Sequence, residues 1–411
     1  MQAEQADLVV VGAGAAGLMA AIHSGRNGQP ALVLEGARTL GAKILVAGGG
    51  RCNVTHDIVD ETSYAGSKPN AIRKVLRRFD VPETTAFFGE FGVEFQREES
   101  GKLFPVTNKA RTVLDALLRG VEQAGSRIQH PCRVQSVRRE ADEFVVEGDG
   151  FAVRARRLIL ATGGKSLPKS GSDGQGWEFA RALGHTVTPR LLPALVGLTL
   201  ADGCFVRDLS GFTLEATLEV RAASGKRIAT RTASTLCTHF GISGPGPMDI
   251  SRHFLNAQLD DADVQLTISW LPGRDEESID AELRGLGKRT VLRGLKESLP
   301  ERLVRALCMA AGVEPTTAGH ALSREGRRAL ARAVCATVLP VTGTRGWNQA
   351  EATAGGVPLS ELRLKTMESR VSPGLYFCGE MLDVDGRIGG YNFQWAWASG
   401  FVAGTSAAAS L

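Results

Sequence analysis

Gly12, Gly14 and Gly17 fall at the spacing G-x-G-x-x-G directly after an apolar run at 7–11, and Glu35 closes a second apolar run, Ala31-Leu32-Val33-Leu34. Together these residue types can hold a dinucleotide. Gly12 permits a tight strand-to-helix turn, Gly14 lets the backbone approach a pyrophosphate, and Gly17 lets the helix pack closely on the strand. Unpaired N–H groups and the helix dipole then face the phosphates. Glu35 lies 18 residues past Gly17, where a carboxylate accepts hydrogen bonds from an adenosine ribose. A carboxylate there also disfavours a 2′-phosphate, so the expected ligand is FAD or NAD and not NADP. A second glycine turn, Ala161-Thr162-Gly163-Gly164, ends another apolar strand at 157–160.

The elements that must position these residues follow from hydrophobic period and punctuation. Helical patterning runs through 71–79, 82–91 and 111–124, and again through 177–183 up to Gly184. Segments 133–137 and 144–146 alternate as paired strands, and the glycine-dense stretch 47–53 reads as a loop. Near 189–193 the texture changes. Segments 195–200, 213–221, 226–230 and 264–270 are alternating or β-branched at short spacing, which predicts an antiparallel sheet or barrel. From 276 to 334, Leu283, Leu286, Leu292, Leu295, Leu299, Leu303 and Leu307 recur at three- and four-residue steps, predicting a small helical bundle. The expected fold is therefore α/β, a Rossmann-like dinucleotide-binding domain followed by a β region and a helical one. Resemblance to two-dinucleotide-fold flavoproteins implies that these are a FAD-binding domain from 1–190 and 346–411, an inserted β domain from 191–275 and 336–345, and a helical subdomain from 276–335.

Composition narrows the class. A chain of 411 residues with 43% hydrophobic content and a net charge of +4 is an ordinary globular protein with room for several domains. Its seven cysteines are scattered and never spaced C-x-x-C, so neither a disulfide framework nor a zinc site is expected, and no metal is called for. No apolar run is long enough to span a bilayer, and the early first strand leaves no room for a secretory leader. A cytoplasmic protein without membrane attachment is expected.

Four further stretches carry a resemblance. Gly48-Gly49-Gly50-Arg51-Cys52-Asn53, Thr238-His239-Phe240-Gly241-Ile242-Ser243-Gly244-Pro245, Thr353-Ala354-Gly355-Gly356-Val357, and Gly379-Glu380-Met381-Leu382-Asp383-Val384-Asp385-Gly386 with Gly389-Gly390-Tyr391-Asn392-Phe393-Gln394-Trp395-Ala396 closely resemble the BaiN/RdsA-like family of bacterial flavoproteins. The likeness covers nearly the whole chain. It implies FAD bound by both ends of the chain and reduction of an activated C=C bond, either a ribosomal RNA uridine giving dihydrouridine or a small enone or steroid-like molecule. Expected cofactor contacts are Gly12, Gly14, Ala15, Ala16, Gly17, Glu35, Lys43, Gly50, Arg51, Asn53, Val134, Thr162, Gly163, Gly379, Glu380, Asp383, Gly390 and Asn392.

Two residues are candidates for the catalytic proton. Cys52 beside Arg51 is expected to have a lowered thiol pKa, the alternative being a small side chain packed under the cofactor. His239, in a glycine- and proline-rich loop, can donate a proton or hold an enolate-like oxygen, the alternative being a histidine that only caps loop carbonyls. No second G-x-G-x-x-G follows a strand, so NAD(P)H, the expected electron donor, would dock transiently on the open flavin face. Eleven cations in the helical region, Arg284, Lys288, Arg289, Arg293, Lys296, Arg302, Arg305, Arg324, Arg327, Arg328 and Arg332, are able to track RNA phosphates, as against a merely solvated face. Arg73, Lys74, Arg77 and Arg78 form a second basic run, read as solvated. A non-catalytic flavin-loaded RNA-binding or redox-sensing protein is the reading from outside enzymology.

Overall fold

The computed structural model describes residues 3–411 and divides into two compact units, Met1–Pro193 with Ala350–Leu411, and Ala194–Gln349. In the first, strand β1 (Glu4–Val11) runs into helix α1 (Ala15–Arg26) and then strand β2 (Leu32–Leu34). Leu8, Val9 and Val10 are fully buried, as a parallel strand covered on both faces requires. β1 pairs in parallel with β2 on one side and with Phe151–Leu160 on the other. Arg127–Gln129 extends the parallel sheet beyond β2, and Leu375–Phe377 extends it beyond Phe151–Leu160. A strand from beyond the second unit thus joins the sheet directly beside one that precedes that unit.

The long helix Tyr391–Ala409 lies across α1. Its approach is set by Gly400 and Gly404, one turn apart: a Cβ on either would come within 2.4 Å of the Ala16 carbonyl oxygen or 2.1 Å of that of Ala20. The first and last helices therefore touch backbone to backbone. Helix α2 (Ala42–Gly50) is helical only at its start, because Ala47, Gly48 and Gly49 leave helical φ/ψ, so the expected glycine loop is present as a broken helix end. Helix α3 (Pro69–Leu76) buries Ile72, Val75 and Leu76 and packs on the terminal helix.

The second unit is built on a seven-stranded sheet with every pair antiparallel. Its two edge strands, Thr337–Leu339 and Val341–Thr344, are joined through the single residue Pro340. A one-residue link cannot span an open sheet, so this sheet curls until its edges meet. The strand expected at 226–230 runs much further, Arg227–Thr238. Most of its extension, Thr232-Ala233-Ser234-Thr235, is small and of weak hydropathy contrast, which hides the alternation. Helices Glu276–Gly285, Val291–Leu295, Glu301–Ala310 and Arg324–Cys335 share one apolar core with the sheet: Leu283, Leu303, Leu307 and Leu330 join Leu218, Leu266 and Ile268. Six of the seven periodic leucines are buried, and Leu292 is half-buried against the same core.

Candidate functional site

Gly12 adopts φ +106°, and a Cβ there would lie 2.5 Å from the Ala161 carbonyl oxygen, so the first turn passes directly against the end of the neighbouring strand. Gly17 is held as tightly, with a Cβ position 1.9 Å from the Gly12 oxygen. Gly14 is different. It caps α1 without a side-chain hydrogen bond, and no atom lies within 4 Å of its Cβ position. The open helix start, flanked by Ala15 and Ala16, leaves N–H groups aimed outward with no acid in the first turn. Glu35 is fixed beside it: Oε2 accepts from the Ala13 N–H at 2.6 Å and Oε1 from the Ala37 N–H at 2.6 Å. Each carboxylate oxygen keeps a second lone pair for a ligand hydroxyl. Val134 is buried and follows Arg133, whose Cα lies 3.0 Å from the Cβ position of Gly36.

The second glycine turn carries a polar network. Lys43 donates to Ser166 Oγ at 2.7 Å and Ser172 Oγ at 3.2 Å, and forms an ion pair with Glu380. Glu380 Oε1 also accepts from Ser166 Oγ at 2.7 Å and Thr353 Oγ1 at 2.8 Å. Thr353 in turn accepts the N–H groups of Lys165 and Ser166 at 2.8 and 3.1 Å. Thr162 and Gly163, the latter at φ +75°, start this loop. Gly379, with a Cβ position 2.8 Å from the Ala16 Cβ, brings the Glu380 turn against the start of α1. Residues from four distant parts of the first unit thereby meet.

Three of the expected contacts take other partners. Cys52 is fully buried at φ +60°, and burial pushes its thiol pKa up, the reverse of the lowering expected from Arg51. Cys52 is thereby corrected from a neutral-pH acid to a packed thiol. The Arg51 guanidinium pairs with Glu98 at 2.8 Å and sits 3.9 Å from the centre of the Phe104 ring. Asn392 uses its side-chain amide on Gly386, accepting the N–H at 2.9 Å and donating to the carbonyl at 3.0 Å. Asp383 is tied through its backbone, its carbonyl taking the Ser67 N–H at 2.8 Å and its N–H donating to Val357 at 2.9 Å.

Asn53 is buried with Oδ1 lacking a partner, at the exit of the Gly48–Gly50 loop, where a Cβ on Gly49 would meet nothing within 4 Å. Gly50 is exposed at φ +85°. Gly390 caps the long terminal helix at φ +94°. His56 was not singled out by the sequence. Its ring stacks on Tyr391 at 5.0 Å and 18°, with Nδ1 2.8 Å from Asp57 Oδ1 and Nε2 2.8 Å from the Ser100 carbonyl oxygen. Its only sequence signal was its position three residues past Asn53. His239 belongs to the second unit, on the exposed turn between Arg227–Thr238 and Gly241–Ser243, where its carbonyl accepts from Arg207 Nε at 2.8 Å.

Among the basic residues of the helical region, carboxylates answer several: Arg284 and Arg327 both pair with Asp280, Arg289 with Glu297, Arg305 with Glu301, and Arg332 with Glu276. Arg302 donates to the Asp208 carbonyl. Lys288, Arg293, Lys296, Arg324 and Arg328 are left without an ion pair among the described residues. Among those residues no helix is long and apolar enough to cross a membrane, and no cluster of metal-ligating side chains is present.

An open helix start over Gly14, a fixed carboxylate at Glu35 and an unpartnered Asn53 oxygen suit the phosphates, ribose and ring of a dinucleotide. Fold and site define a Rossmann-type, FAD-dependent oxidoreductase. Residues 6–406 match the HI0933-like protein Rossmann domain, and the chain belongs to that family. It is 34% identical over 97% of its length, and 98% of the relative's, to a 3-dehydro-bile acid delta(4,6)-reductase of Clostridium scindens. It is 32% identical to the ribosomal RNA dihydrouridine synthase of Escherichia coli, over 96% of each chain. Among solved structures, a 3-ketosteroid-delta4-(5alpha)-dehydrogenase of Rhodococcus jostii aligns over 99% of this chain and 98% of its own, with 18% identity and a TM-score of 0.48.

Proposed function

We propose that the protein saturates a polarised C=C bond, with a uridine of ribosomal RNA as first substrate and NAD(P)H as the electron source. The observation that carries this reading is full-length similarity to two relatives whose names describe reduction of a ring C=C bond, one in a bile acid and one in a uridine. Bound and reduced, FAD supplies hydride, so the protein's part is binding, orientation and a proton. On this reading the α1 N-terminus and Gly14 hold the pyrophosphate and Glu35 the ribose. Lys43, Glu380, Thr162, Gly163 and Gly379 line the path toward the ring end, where Asn53 and the Gly390 helix start are placed. The positive end of that helix favours negative charge on the ring. Cys52, being buried, is read as packing and not as the acid, and His239 is the residue proposed for the proton. The free cations Lys288, Arg293, Lys296, Arg324 and Arg328 would meet RNA phosphates, and a protein with this substrate works in the cytoplasm.

The identity to the bile-acid reductase favours a small enone as the second reading. Reduced holoenzyme mixed anaerobically with deproteinised ribosomal RNA, with a 3-oxo-Δ4 steroid, or with buffer separates the readings. Fast flavin reoxidation by RNA with dihydrouridine formed is expected. Reoxidation by the steroid alone moves the assignment to small molecules, and reoxidation by neither sinks C=C reduction.

A further inference from the structure

We infer that the outer face of α3, in the first unit, is a docking surface for the phosphate backbone of an RNA substrate; this rests on the RNA reading above. Between Lys68 and Phe79 there are five cations and no acid. One of them, Arg73, is answered by Glu61 at 3.3 Å and Asn70 at 2.7 Å. The side chains of Lys68, Lys74, Arg77 and Arg78 make no ion pair or hydrogen bond among the described residues, and all four are exposed. The next acid, Asp80, is used as a helix cap, accepting the Glu83 N–H at 3.1 Å.

Geometry concentrates this charge. At 100° per residue Lys74 falls on the side of α3 opposite Ile72, Val75 and Leu76, which are buried, and the exposed Arg77 and Arg78 follow at its C-terminal end, Arg77 as the cap and Arg78 in the turn beyond. Other arginines on the same unit behave differently: Arg133, Arg138, Arg154 and Arg156 each meet a carboxylate. Paired charge gives solubility, whereas unpaired Arg at consecutive positions retains its donors for phosphate oxygens.

The nature of the partner follows from what the face lacks. No large apolar side chain is exposed between 68 and 79, so an interfacial helix dipping into lipid has nothing to insert. A purely charged face fits a polyanion held by counterion release. Its placement fits a substrate surface too. The strand that precedes α3, Tyr64–Gly66, pairs with Val384–Gly386, which leads into Gly390 at the start of the terminal helix. α3 is thus mounted on the same framework as Asp383, Gly390 and Asn392.

The test measures binding of holoenzyme to deproteinised ribosomal RNA across a salt series, by filter retention. Lys74→Gln/Arg77→Gln/Arg78→Gln should weaken binding about tenfold near 0.1 M salt and lower the slope of log affinity against log salt by about 2. Flavin absorbance and melting should be unchanged. Arg77→Lys/Arg78→Lys should keep most of the slope; a loss equal to that of the glutamine variant would place the defect in the helix and overturn the assignment. Wild-type affinity in the glutamine variant overturns it while leaving RNA reduction standing. Retention of anionic phosphatidylglycerol vesicles with no retention of RNA overturns both. A parallel Lys288→Gln/Arg293→Gln/Lys296→Gln variant reports the second unit separately.

Discussion

The two units bury different things. The first encloses polar groups: Thr55 and Thr84 both donate to Gln394, and Lys43, Ser166, Thr353 and Glu380 form a closed network around a glycine turn. The second closes its helices and curled sheet over a core of leucine, isoleucine and valine, and keeps nearly all its charge outside. Buried polar networks fix one geometry because every partner must be in place, whereas apolar packing tolerates change as long as volume is kept. The first unit is therefore suited to a cofactor that never changes. The second is suited to holding a surface that can vary around it.

The sharpest way to break this contrast is Gly17→Val. With a Cβ position 1.9 Å from the Gly12 oxygen, the turn cannot close, and loss of bound flavin together with more than about 3 kcal/mol of stability is expected. Flavin absorbance after purification and a urea titration would register it. Next is Leu303→Ala in the fully buried core of the second unit, expected to cost about 2–5 kcal/mol. Flavin titration should give a wild-type affinity for this variant at temperatures where it remains folded; a matching loss of flavin would show that the two units do not divide the work.

A pH series probes the first unit from another side. His23 is packed among Phe79, Phe87 and Phe401 with Nε2 unpartnered, and burial lowers its pKa to about 3. The folded protein therefore declines a proton that the unfolded chain accepts from about pH 6.5 downward. Stability should be free of this effect above pH 6.5 and fall, by at most about 1.4 kcal/mol per pH unit, between there and pH 3. His23→Leu should flatten that part of the urea-midpoint curve, and an unaltered curve would reject the assignment. Smallest is Glu35→Ala, expected to weaken FAD by about 1.5–3 kcal/mol while leaving the fold intact, as read by flavin titration of the apoprotein. Unchanged affinity would remove Glu35 from the ribose.

Legibility in the sequence followed distance along the chain. β1, its turn and α1 are contiguous, and their spacing alone carries the Gly12, Gly14 and Gly17 geometry. The leucine repeat of the helical region was readable for the same reason. Lys43, Ser166 and Thr353 are each more than a hundred positions apart, Glu380 lies 27 past Thr353, and no local pattern brings the four together. Side-chain direction was equally hidden: Arg51 adjoins Cys52 in sequence yet turns to Glu98 and Phe104, and the thiol stays in an apolar interior. Charge counting could not assign partners. Asp280 satisfies two arginines, Arg284 and Arg327, that sequence alone left unpaired, while Lys74, Arg77 and Arg78, read as solvated, are exposed.

Gly400 and Gly404 give the chain a schedule. The backbone of α1 finds its closest helical neighbour only after residues 27–390 have been made, and Leu375–Phe377 reaches the central sheet almost as late. The second unit, continuous from Ala194 to Gln349, needs no such wait. On the ribosome its core can close while the nucleotide-binding half still lacks a strand and a helix, so the part of the molecule that begins first is completed last. Stalled nascent chains ending near residue 370 should then resist protease across 194–349 and be cut within 4–34, and protection of both stretches would reject that order.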